Sequence, residues 1–167
     1  MNSTVIGNIS RFVLLMAAQI LVFNKMELFG YTAFPYILYI LLFPVNGNKA
    51  VLLITAFFLG LTQDIFLNTS GPHAAACVCL AYFRPAFFRF SFGISYEYQT
   101  IRINDRLTPE RFSFILISVV THHLILYLLE LLRFSLIIDT LIRTVATTAF
   151  TLILCITIIY LIKPGKQ

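Results

Sequence analysis

Tryptophan is absent from this chain, and only 11% of its 167 residues are charged. Soluble domains carry roughly 25%. With 59% hydrophobic residues and a mean hydropathy of +0.90, the chain is too apolar for a water-soluble domain. Some of any fold's surface must face water. A closed membrane barrel needs alternating apolar and polar residues, and the long unbroken apolar runs exclude that pattern. The three cysteines, Cys77, Cys79 and Cys155, all sit inside apolar runs. A C-x-C pair alone is not a zinc site, so they read as small buried hydrophobes. There is no H-E-x-x-H helix and no G-x-S-x-G elbow. His122-His123 looks metal-like, but adjacent helical residues point about 100° apart. Three histidines and seven acids are too few and too scattered to compose a hydrolytic site. The expectation is a non-enzymatic protein without cofactor or metal.

What remains is an all-α integral membrane protein, a bundle of about six transmembrane helices in a single polytopic domain, 1–167. The apolar segments are Ile9–Phe23, Ala33–Val45, Ala50–Leu67, Pro72–Phe90, Glu110–Phe134 and Leu136–Ile162. The second is short, holds Pro35 and Pro44, and reads as a tilted or partial span. The first has Arg11 as its only early cation and no small-x-small site after it, so it reads as a retained span rather than a cleaved signal. Thr108, Pro109 and Glu110 form a good helix start. Pro164-Gly165 closes the sixth segment.

The net charge of +5 needs no nucleic acid, because basic residues in membrane proteins mark cytoplasmic loops. With the N-terminus inside, nine cations fall inside: Arg11, Lys49, Arg84, Arg89, Arg102, Arg106, Arg111, Lys163 and Lys166. Only Lys25, Arg133 and Arg143 fall outside. Both termini are therefore expected in the cytoplasm, provided the second segment crosses. The longest polar stretch, 91–108, is then cytoplasmic. It carries Tyr96, Glu97, Tyr98, Arg102, Asp105 and Arg106, and reads as a solvated connector or a docking surface.

Ionisable groups inside a span cost about 2.5–3.5 kcal/mol on insertion scales, so each needs a reason. Asp64, His73, Glu130, Arg133, Asp139 and Arg143 all fall toward one membrane face in this topology. Ala56, Gly60 and Asp64 are each four apart and share one helix face, where small residues admit a close neighbour. His123, Tyr127 and Glu130 form a second stripe, and Asp139 can pair with Arg143. Thr140, Thr144, Thr147 and Thr151 suit interhelical hydrogen bonds. Arg84, near the inner end of the fourth segment, is placed to snorkel. These groups are candidates for helix packing, for a partner-binding face, or for a proton or solute pathway.

The stretch "GLTQDIFLNTSGPHAAACVCLAYFRP" resembles the rod shape-determining MreD family, in the version typical of Bacteroidota-like bacteria. Gly60 and Asp64 match a G-x-x-x-D helix end, Gly71 a short loop, Ala74–Ala76 a small-residue helix start, and Arg84-Pro85 an Arg-Pro pair. The likeness covers roughly residues 55–90; elsewhere it rests on hydropathy and length. It implies a scaffold of the bacterial elongation machinery in the cytoplasmic (inner) membrane. The implied partners are an MreC-like membrane protein, the actin-like MreB filament and the peptidoglycan synthase complex. The family is also similar in fold to the substrate-binding components of energy-coupling-factor transporters. That likeness keeps a small-solute-binding component as the alternative reading.

Overall fold

The computed structural model describes residues 2–93, 107–131 and 137–162. Most of the 91–108 stretch, Arg133 and the Pro164-Gly165 stop therefore lie outside the described residues. Five long helices form the bundle: α1 (Asn2–Leu21), α3 (Lys49–Leu67), α4 (Pro72–Phe92), α5 (Pro109–Leu131) and α6 (Ile137–Leu161). A four-residue helix, α2 (Leu38–Leu41), lies between the first two. By length and composition, α1 (from Ile6), α3, α5 and α6 can each cross a membrane, as expected of a multi-pass membrane protein. Their outer faces carry exposed Ile9, Leu14, Ile54, Ile138 and Val145, a belt suited to lipid. Helix α4 is as long but falls outside that set; it carries His73 and Arg84, both buried.

The helix ends follow local chemistry. Asn48 caps α3, accepting from Ala50 N (2.8 Å) and Val51 N (3.4 Å). Asn68 ends it in the left-handed region at φ 56°, where asparagine is among the few tolerated side chains. Pro72 opens α4 at the first helical position. Thr108 accepts from Arg111 N at 3.4 Å at the start of α5, as the sequence predicts.

Four helices able to cross, rather than the expected six or so, are present among the described residues, and the second apolar segment, read as a tilted or partial span, is one that falls short. It forms no transmembrane helix. The chain leaves α1, makes a two-residue antiparallel hairpin (β1 Glu27–Leu28, β2 Tyr31–Thr32), then a 3-10 turn at Pro35–Ile37 that continues into α2. Phe29 (φ 53°) and Gly30 (φ 80°) take the two left-handed turn positions that tight hairpins require. Tyr36, Ile37, Leu38, Ile40 and Leu41 are wholly buried, so this segment is the bundle's axis rather than one of its walls.

The short segment has a defined direction in the bundle. Its start meets Gln19 of α1 (to Ala33 O, 3.1 Å) and its end meets Arg11 (to Leu42 O, 2.9 Å), so it runs antiparallel to α1. Helix α4 runs antiparallel to α3, with Gly60 against Ala74. Helix α5 opposes α4 through Phe88–Phe114, stacked at 4.2 Å. Helix α6 opposes α5 through Tyr127–Thr147 (2.7 Å) and His123–Thr148 (3.2 Å). Asn2 and Leu161 consequently lie at the same end of the bundle. That end also holds Lys49, Arg84, Arg89 and Arg111; the opposite end holds Asp64, the hairpin and Glu130.

Gly60 fixes the α3–α4 contact. A Cβ there would stand 2.5 Å from Ala74 Cα and would also collide with the His73 carbonyl. The obstruction is backbone, which cannot rotate away. Gly60→Leu should therefore destabilise the bundle by more than about 3 kcal/mol, beyond ordinary overpacking. The readout is yield and Tm in detergent, with Gly7→Ala, in open space, as the neutral control. Wild-type Tm for Gly60→Leu would contradict the close approach. Reporter fusions at the two termini should report the same side of the membrane; opposite sides would refute the expectation that both termini are cytoplasmic.

Candidate functional site

Asp64 is 2% exposed, the one buried acid among the described residues. Its carboxylate accepts from His73 N (3.1 Å), Ala74 N (2.8 Å) and Thr69 Oγ1 (2.5 Å). The N-cap of α4 is Gly71, which has no side chain to cap the helix. Asp64 supplies that cap from the preceding helix. A carboxylate suits the place, because two orphan N–H donors and the positive helix end all favour an anion. Ala56 and Gly60, both buried, lie on the same face of α3. The predicted packing stripe is present, and its acid serves the backbone of α4.

Below this cap lies a buried polar cluster that joins His73 and His122, with His123 beside it. Tyr36 Oη is hydrogen-bonded to His73 Nδ1 (2.9 Å) and His122 Nε2 (3.2 Å). Cys77 Sγ lies 3.8 Å from Tyr36 Oη and 3.7 Å from His122 Nε2. His123 faces α6, with Nδ1 3.2 Å from Thr148 Oγ1 and Nε2 3.5 Å from Thr151 Oγ1. The two adjacent imidazoles stand edge to face with centroids 5.3 Å apart. As the 100° offset predicts, they serve different neighbours. Among the described residues, no group of three or more His, Cys, Asp or Glu is placed to hold a metal.

The tautomers are linked through Tyr36. Its single proton can go to His73 or to His122, and the other imidazole must then donate to the phenol oxygen. Either way His122 Nδ1 is left over, and it has no hydrogen-bond partner although fully buried. Ser118 Oγ, one turn earlier on α5, is likewise buried without a partner.

The remaining predicted residues separate by place. Arg84 does not snorkel. It is 4% exposed, and its Nη2 donates to the carbonyls of Leu41 (3.3 Å) and Phe43. Its guanidinium also lies 4.7 Å over the Phe88 ring. These carbonyls end the short helix, where a cation is favoured. Glu130 is exposed beside the Thr69–Pro72 turn. Asp139 and Arg143 are exposed on α6, and the expected ion pair between them is absent among the described residues. Of the threonine row, Thr147 and Thr151 make interhelical bonds, whereas Thr144 bonds back to Thr140 O at 2.7 Å.

Sequence reasoning missed Tyr36, Cys77 and His122 as partners, and it missed a second cluster of amides. Gln19 Nε2 donates to Asn24 Oδ1 (2.8 Å), as does Gln63 Nε2 (2.7 Å). This ties α1 to α3 beside Asp64. The available signal was a glutamine inside each of two apolar runs.

The chain matches no protein-family model, no curated protein and no solved structure.

Replacing Asp64 tests its capping role. Asp64→Ala leaves two buried N–H groups unsatisfied and should cost about 1–3 kcal/mol or more. Asp64→Asn retains one acceptor oxygen and should lose less. Thermal unfolding in detergent should rank wild type above Asn above Ala. Equal Tm values for all three would refute the cap.

Proposed function

We propose that this protein is a non-enzymatic membrane scaffold of the bacterial elongation machinery, similar in role to MreD proteins. The observation that carries the reading is the use made of the residues on which the resemblance rests. Gly60 admits the α4 backbone, Asp64 caps that helix, Ala74 and Ala76 pack at its start, and Arg84 closes the buried short helix. All of these build a rigid bundle, and none of them is presented for chemistry on a substrate. Among the described residues, five of the seven basic side chains share one end with the start of α1 and the end of α6, which supports a cytoplasmic location for that end in the inner membrane. In this reading the scaffold contacts its partners through helix faces and short loops. The partners in this reading are an MreC-like protein, the MreB filament and the peptidoglycan synthase complex.

The leftover His122 Nδ1 and Ser118 Oγ favour a second reading, a small-solute-binding component of a transporter. Buried polar atoms without partners are uncommon and are the groups a bound solute would satisfy.

Depletion in a rod-shaped bacterial host should round the cells, and tagged protein should recover an MreC-like partner. Normal rods after clean deletion would refute the scaffold reading. A copurifying small molecule, released by Ser118→Ala, would replace it with the second.

A further inference from the structure

At the basic end of the bundle, helix α3 begins short of the end of α4. Lys49, the first residue of α3, lines a cavity of about 650 Å³ together with Arg84, Pro85 and Phe88, and α4 then continues to Phe92. The step leaves a shelf over the start of α3. Its outer rim is polar, with Asn46 and the exposed Lys49. Its walls are Leu52, Leu53 and Ala81, and its depth is set by the guanidinium of Arg84. Among the described residues, the lining holds two cations and no acid. An apolar wall beneath a cationic rim, at the end of apolar helices, is a surface for a molecule with an anionic head and a hydrocarbon tail.

We propose that this cavity binds one anionic phospholipid, its phosphate at Lys49 and an acyl chain along Leu53 and Ala81. The bilayer supplies such molecules at the depth where the shelf opens. Basic pockets between membrane helices take anionic head groups by the same electrostatics. Arg84 keeps its bonds to Leu41 and Phe43; Lys49, at the rim, makes the direct contact with the phosphate. The proposal rests on membrane insertion alone and stands independently of the scaffold reading.

The test is native mass spectrometry of the purified full chain in mild detergent with phosphatidylglycerol, phosphatidylcholine or inorganic phosphate added. One phosphatidylglycerol should bind at least about fivefold more tightly than phosphatidylcholine, the effect of one cation near a lipid surface. Lys49→Gln should abolish that preference, whereas Lys25→Gln at the opposite end should leave it intact. Leu53→Trp, which fills the cavity, should remove bound lipid of both kinds at this site. Equal binding of the two lipids, or an unchanged preference in Lys49→Gln, would overturn the proposal. Retention of inorganic phosphate without preference for phosphatidylglycerol would assign the cavity to a free anion and overturn it equally.

Discussion

A helix that ends inside a membrane protein must find partners for its terminal N–H and C=O groups within the protein, because lipid offers none. The buried segment from Phe34 to Phe43 faces this requirement at both ends. Its first donors, Phe34 N and Tyr36 N, go to Thr151 Oγ1 (3.1 Å) and Gln19 Oε1 (3.3 Å); Pro35, between them, has no N–H. Its last carbonyls go to Arg11 and Arg84. Four side chains from α1, α4 and α6 therefore converge on one short stretch. That convergence locks three of the five long helices around a common axis. Each unsatisfied group would cost several kcal/mol in so apolar an interior, which exceeds any single apolar contact between these helices.

Asp64 obeys the same rule one helix further on. Gly71 leaves α4 without a capping side chain, and the close approach permitted by Gly60 brings the end of α3 near enough for Asp64 to reach His73 N and Ala74 N. Glycine and acid are thus two parts of one device, one setting the distance and the other filling the vacancy. The cost of placing a carboxylate in an apolar run is offset by three charge-assisted hydrogen bonds and the helix dipole.

The long helices were legible because their signals are local. Asn48, Pro72 and Thr108-Pro109 mark starts, and hydropathy marks lengths. The stripe Ala56–Gly60–Asp64 followed from helical spacing. The short segment was legible only as a tilted or partial span, since its hydropathy matches that of a span and its caps come from Arg11, Gln19, Arg84 and Thr151. These lie up to 117 positions away along the chain. The buried role of Arg84 was hidden for the same reason: its carbonyl partners belong to a helix end that periodicity does not reveal. Uniting Tyr36 with His73 and His122 requires three separate elements to meet, and no spacing within one helix encodes that meeting.

This division bears on how the molecule can act. Side chains that satisfy backbone ends cannot be released for a partner without opening the bundle, so Asp64, Gln19, Arg11 and Arg84 belong to the frame. Among the described residues, what stays exposed is the apolar belts, the hairpin tip at Phe29, 92% exposed, and the rim where Glu130, Asp139 and Arg143 stand. The predicted gathering of charge at one face therefore has two layers. The inner layer, Asp64 with the His73 and Ala74 backbone, holds helices together. The outer layer, Glu130, Asp139 and Arg143, is exposed and free to meet a neighbour at little structural cost. Substitution in the outer layer should change association before it changes folding, the reverse of the order expected for the inner one.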